Sequence, residues 1–78
     1  MENMSLIVKK IYRDVDSLRE GLREALNEAT KPVRTIAAEA GISRSNLHNF
    51  KYGERELKFE NLQKLADYFN VKYEIKNF

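Results

Sequence analysis

Arg44, Ser45, His48 and Asn49 fall within one six-residue stretch and carry a guanidinium fork, a hydroxyl, an imidazole and a carboxamide. Such a set suits recognition by hydrogen bonds. A guanidinium can donate two bonds to guanine, a carboxamide can pair with adenine, and a hydroxyl or imidazole can meet donors or acceptors. Covalent catalysis has little to stand on. Ser45 and His48 are three apart in sequence, but no third group orients the imidazole, so no activated nucleophile is set up. With no cysteine and one histidine, the chain offers no second metal ligand at helical spacing, and no metal, cofactor or disulfide is expected. A glycine-rich phosphate loop is also missing. The residues point to a binding protein and not to an enzyme.

Charge marks the same stretch. The 78 residues carry 14 Lys and Arg against 12 Asp and Glu, a net charge of only +2. Along the chain, residues 14–28 hold −3 and residues 29–58 hold +3, and nothing acidic lies between Ala40 and Gly53. Arg34, Thr35, Asn46, Lys51, Arg55 and Lys58 surround the four candidates and suit phosphate oxygens. Arg34 and Thr35 would also open a helix, where free backbone N–H groups favour an anion. Glu20, Glu24 and Glu28 form an acidic stripe, expected to be solvated and turned away from any polyanion.

The length is about half of the roughly 150 residues used as a prior for one domain, which leaves room for one small core. Without a disulfide or a metal, that core must rest on helix packing or on a partner chain. No apolar run approaches the ~18–20 residues of a membrane span, and Leu6–Ile7–Val8 is too short for a signal-peptide core. A cytoplasmic protein with no membrane partner is expected.

The apolar periodicity supplies the elements. Val15, Leu18, Leu22, Ala25, Leu26 and Ala29 recur at spacings of three and four, one face of an amphipathic helix. Asp14, Asp16 and Ser17 offer caps at its start, and Ser17 with Glu20 has capping-box spacing. This helix is expected to stop near Thr30, ahead of Pro32, with a second helix running from about Pro32 to Ala40. Gly41 ends it, Ser43 caps a third helix from Arg44 to about Tyr52, and Gly53 stops that one. Phe59, Leu62, Leu65, Ala66 and Phe69 mark a fourth helix. Val71, Tyr73 and Ile75 then alternate with charged residues, the pattern of a half-buried strand that needs a partner. Leu6–Tyr12 is the candidate within the chain, although Ile7 and Ile11 would also extend the first helical stripe backwards; the rival partner is the same strand of a second copy.

Residues 33–52 hold two short helices joined through Ala40–Gly41–Ile42–Ser43. Two helices crossing steeply through a short turn need a glycine at the turn, a small residue where backbones approach, and apolar anchors on both sides. Ile36, Ala37, Ala40, Gly41, Ile42, Leu47 and Phe50 fill those positions. The third helix, about 13 Å long at 1.5 Å per residue, fits a B-DNA major groove about 12 Å wide. Leu47 and Phe50 must face inward, which leaves Arg44, Ser45, His48 and Asn49 pointing out. Ser43 is better read as a cap than as a contact. The four tyrosines are expected in the core or at an interface, Tyr52 being the best exception because it ends the third helix.

These residues resemble the lambda-repressor-like helix-turn-helix proteins, also called Cro/CI-type or Xre-type, over about Asp16 to Val71. Tyr52–Gly53–Glu54–Arg55 and Phe59–Glu60–Asn61–Leu62–Gln63–Lys64–Leu65–Ala66 look like that family's turn after the recognition helix and its fourth helix. Two features depart from the family pattern: Val33 followed by Arg34 stands where glutamine is common, and Leu57 where proline is usual. The resemblance implies a mainly α, compact four- to five-helix domain with its helix-turn-helix at 33–52, and the residue pattern of the termini adds short strands at about 6–12 and 71–76, in one domain spanning 1–78. The resemblance also implies a sequence-specific regulator of transcription, a repressor bound as a homodimer to a palindromic operator in double-stranded DNA. Residues 1–13 and 71–78, with Val71, Tyr73 and Ile75, are the candidates for strand pairing or dimerisation. The alternative is the antitoxin of a toxin–antitoxin pair that also represses its own operon, in which an open strand edge receives a protein partner.

Overall fold

The structure, a computed structural model, describes residues 11–75. In chain order the elements are β1 (Ile11–Tyr12), α1 (Val15–Glu28), α2 (Val33–Ala40), α3 (Arg44–Lys51), α4 (Phe59–Phe69) and β2 (Lys72–Tyr73). Of the expected strand over residues 6–12, the part before Ile11 lies outside the described residues.

Each boundary has a local cause. Asp14 caps α1: its carboxylate accepts from the Ser17 backbone N–H at 2.8 Å and from the Ser17 hydroxyl at 3.0 Å. The Ser17–Glu20 capping box is therefore not formed, since Ser17 already lies inside the helix and serves as donor. α1 stops at Glu28, two residues after Leu26, and Pro32 sits at the cap position of α2 rather than in its first turn. Gly41 takes the left-handed conformation, φ 78°, and with Ile42 donates two backbone bonds to the Ala37 carbonyl. This closes α2 and turns the chain into α3, whose Asn46 N–H bonds the Ser43 hydroxyl at 3.3 Å.

The core joins all four helices. Leu18, Leu22 and Leu26 from α1 meet Ile36 and Ala37 from α2, Leu47 and Phe50 from α3, and Leu62, Leu65 and Ala66 from α4. Ile42 in the turn and Leu57 before α4 complete the set, so Leu57 anchors the chain where the family commonly has proline. Burying a side chain of the size of Leu or Phe contributes roughly 1.5–3 kcal/mol. α1 packs against α3 and α4, and α2 packs against the same two helices.

β1 and β2 pair in parallel, with Ile11 opposite Lys72 and Tyr12 opposite Tyr73. The second strand is shorter than the expected 71–76, for a geometric reason. Upstream the register meets Asn70, the left-handed cap of α4, and downstream it meets Asp14, the cap of α1. Val71, Tyr73 and Ile75 are half-buried against the core. Gly21 makes this packing possible: a Cβ there would lie 2.9 Å from the Tyr12 ring carbon Cε1 and closer still to the phenol end. The Tyr12 ring thus lies directly on the α1 backbone.

Candidate nucleic-acid interface

α3 is fixed from below and open above. Leu47 and Phe50 have no exposed surface, while Arg44, Ser45, Asn46 and His48 are exposed and Asn49 is half-buried. Positions 44, 48 and 52 share one helical face, and 45 and 49 lie beside it. The side chains of Arg44, Ser45 and Asn49 make no hydrogen bond or ion pair among the described residues, so their donors and acceptors are open to a ligand. Ser43 serves as the cap of α3. Within the motif, Ile36, Ala37, Ile42, Leu47 and Phe50 are buried, Ala40 is half-buried, and Gly41 is exposed and acts through its conformation.

The six phosphate candidates come from several elements. Arg34 and Thr35 stand in the first turn of α2, which has no side-chain cap. Arg55 and Lys58 lie in the connection from α3 to α4, where the Asn49 carbonyl accepts from the N–H groups of Glu54 at 2.8 Å and Arg55 at 3.3 Å. Arg34, Arg44, Arg55 and Lys58 form no ion pair among the described residues. Arg13, Arg19, Arg23 and Lys31, by contrast, are all paired with carboxylates of this chain. The cations around α3 are thus left without a carboxylate partner among the described residues.

A helix-turn-helix family model matches residues 22–75, more than half of the chain. The chain belongs to the lambda-repressor-like helix-turn-helix family. As a member it is a DNA-binding regulator of transcription, and the matched span contains α2, α3 and α4. Neither the curated proteins nor the solved structures give a match to the chain. No helix among the described residues is long and apolar enough to cross a membrane.

In this helix-turn-helix protein, α3 is held by residues that periodicity does not reveal. Arg23 of α1 donates from Nε to the Phe50 carbonyl at 2.8 Å, and its guanidinium lies 4.5 Å from the Phe50 ring centroid. The other two nitrogens reach Glu20 at 2.8 Å and Glu56 at 3.2 Å. Arg19 Nε adds an ion pair to Glu56 at 3.6 Å. One of the two acids in the connection after α3 is thereby held by α1, between the free cations Arg55 and Lys58. The stripe residues Glu20, Glu24 and Glu28 are exposed, as expected, and Glu20 also steers Arg23.

The far side of the motif has its own ties. Glu39 accepts from Tyr68 at 2.6 Å and from Lys31 at 3.1 Å, linking the entry to α2, its last turn and α4. The Tyr68 hydroxyl, followed by the Lys31 ammonium, holds the Glu39 carboxyl below its ordinary range, and the same carboxylate pushes Lys31 and Tyr68 up. Lys64 donates to the Gly41 carbonyl at 3.3 Å, satisfying an acceptor at the turn. Tyr12, Tyr68 and Tyr73 pack against the core, and Tyr52, singled out as the exception among the tyrosines, is 58% exposed.

Proposed function

We propose that this protein is a sequence-specific repressor that binds double-stranded DNA as a homodimer on a palindromic operator in the cytoplasm. The observation that carries the reading is the outward face of α3, where Arg44, Ser45 and Asn49 have unengaged hydrogen-bonding groups on a helix locked by Leu47, Phe50 and Arg23. Arg44 reads guanine and Asn49 adenine, Ser45 and His48 add contacts to base edges, and each good bidentate pair contributes about 1–3 kcal/mol of discrimination. Arg34, Thr35, Asn46, Lys51, Arg55 and Lys58 hold phosphates and set the register. Four side chains per half-site discriminate weakly, so two copies read half-sites about 34 Å apart, one turn of DNA. The copies join along the outer edge of β2, the strand that Val71, Tyr73 and Ile75 seat on the core of each chain.

The test is binding of duplexes selected from a random library, compared with unselected DNA. Arg44→Ala is expected to weaken binding to the selected duplex by about tenfold and to random DNA far less. Equal loss on both would remove the base-reading role. Light scattering is expected to give a dimer.

One observation favours a second reading, the antitoxin of a toxin–antitoxin pair. A sheet of two strands has two outer edges, and Ile11 on β1 exposes 45% of its surface. An edge of this kind can add a strand from another protein. Co-purification with the product of an adjacent gene favours this reading, and recovery of the homodimer alone goes against it.

A further inference from the structure

Tyr52 is one of only two large apolar residues that the described residues leave exposed, the other being Ile11. Its backbone is fixed, because it caps α3 and its N–H bonds the His48 carbonyl at 3.2 Å. The ring is held as well. The His48 and Tyr52 ring centroids lie 4.8 Å apart with the planes tilted by 54°, within the range of a favourable aromatic contact. Lys51 Nζ stands 5.4 Å from the Tyr52 centroid, close enough for a cation to be drawn to the ring. The phenol thus sits against one residue of the base-reading set and beside one of the phosphate set.

We infer that Tyr52 determines specificity by positioning His48 for DNA, an inference that rests on the DNA-reading role of α3. An exposed imidazole on a helix surface has several rotamers to choose from, and ordering it at the moment of binding costs affinity. The Tyr52 ring covers one side of the imidazole before DNA arrives and removes much of that choice. Position 52 lies one turn beyond His48 on the same face, so the phenol also extends the reading surface. Its open edge suits a thymine methyl or a deoxyribose, and its hydroxyl suits a phosphate oxygen.

The experiment is a double-mutant cycle between positions 48 and 52 on the full chain, using a duplex selected against the wild type and an unselected duplex. Circular dichroism confirms that each variant is folded, which exposure of both side chains leads one to expect. Tyr52→Ala should weaken the selected complex by about tenfold and the unselected one by less than threefold, and Tyr52→Phe, which keeps the ring, should recover most of the loss. His48→Ala should cost several-fold in the wild-type background and almost nothing once Tyr52 is alanine. Additive losses would overturn the positioning role, as would equal weakening of both duplexes. A Tyr52→Ala variant that turns monomeric in light scattering while keeping its DNA preference would make Tyr52 a subunit contact instead. If the wild type itself prefers no duplex, the base-reading role of α3 fails and this inference fails with it.

Discussion

Arg23 and Phe50 are joined twice: the guanidinium donates to the Phe50 carbonyl at 2.8 Å and lies over the same residue's ring at 4.5 Å. One side chain of α1 thus satisfies a carbonyl near the end of α3 and packs on the anchor that holds that helix down. Because Arg23 is only 16% exposed, these contacts are shielded from water. A hydrogen bond from a charged group in such a setting contributes about 1.5–3 kcal/mol.

Arg23→Ala is therefore expected to lower unfolding free energy by about 2 kcal/mol, measured by urea denaturation. Arg23→Lys should recover little, since an ammonium lacks the planar fork that reaches Phe50, Glu20 and Glu56 together. A lysine variant as stable as the wild type would show that charge alone suffices.

Gly21 gives a prediction with an unusual sign. Alanine in a helix interior is favoured over glycine by about 1 kcal/mol, yet a Cβ at position 21 would run into the Tyr12 phenol. Tyr12 must then swing off α1, giving up its seat beside β2, and Gly21→Ala should destabilise by about 1 kcal/mol net. In a Tyr12→Ala background the same substitution should stabilise. Thermal melting of the four proteins in the cycle decides it, and equal signs in both backgrounds would refute the contact.

How much of this was legible in the sequence depends on how far apart the cooperating residues lie. Leu47, Phe50, Gly41 and Ser43 are readable because helix spacing and caps are local, and the four helices follow from them. Arg23 reaches Phe50 and Glu56 across separations of 27 and 33 residues, through a helix crossing that no periodicity encodes. Tyr12 on Gly21 is hidden for a different reason. The pattern of α1 shows only which face is apolar, whereas the need for a missing Cβ arises from a strand packed on the side of that face. The strand over 71–76 reads as longer than it is because alternation does not show where a neighbouring cap ends the ladder.

Acid should weaken the α1 cap. The Ser17 backbone N–H, followed by its hydroxyl, holds the Asp14 carboxyl below its ordinary 3.8. A carboxyl lowered in the folded state adds stability that is present above its unfolded value and is lost as pH falls through the folded one. Glu39 has the same sign, through Tyr68 and Lys31. Asp14→Asn keeps an acceptor for the Ser17 N–H but cannot titrate, so its melting temperature should fall less steeply below about pH 4 than that of the wild type. Parallel curves would place the acid sensitivity elsewhere. At the alkaline end Lys31 and Tyr68 are raised, so the stability they add is present below their unfolded values and is lost above pH 10 as each deprotonates. Glu39→Gln should flatten both ends of the profile.

The division between free and paired cations predicts the salt dependence of DNA binding. Arg55 and Lys58 have no ion pair among the described residues and sit on a connection tied to the Asn49 carbonyl, so they can give their full charge to phosphate. Lys31 is bound to Glu39 and Lys64 to the Gly41 carbonyl, on the far side of the motif. Each phosphate contact releases counterions, and losing one contact lowers the slope of log affinity against log salt by about 1. Arg55→Ala and Lys58→Ala should each reduce the slope by that amount and weaken selected and random duplexes alike, whereas Lys31→Ala and Lys64→Ala should leave it unchanged. Fluorescence anisotropy across a salt series measures all four. If the far-side substitutions alter the slope as much as Arg55→Ala does, DNA does not approach through the face of α3.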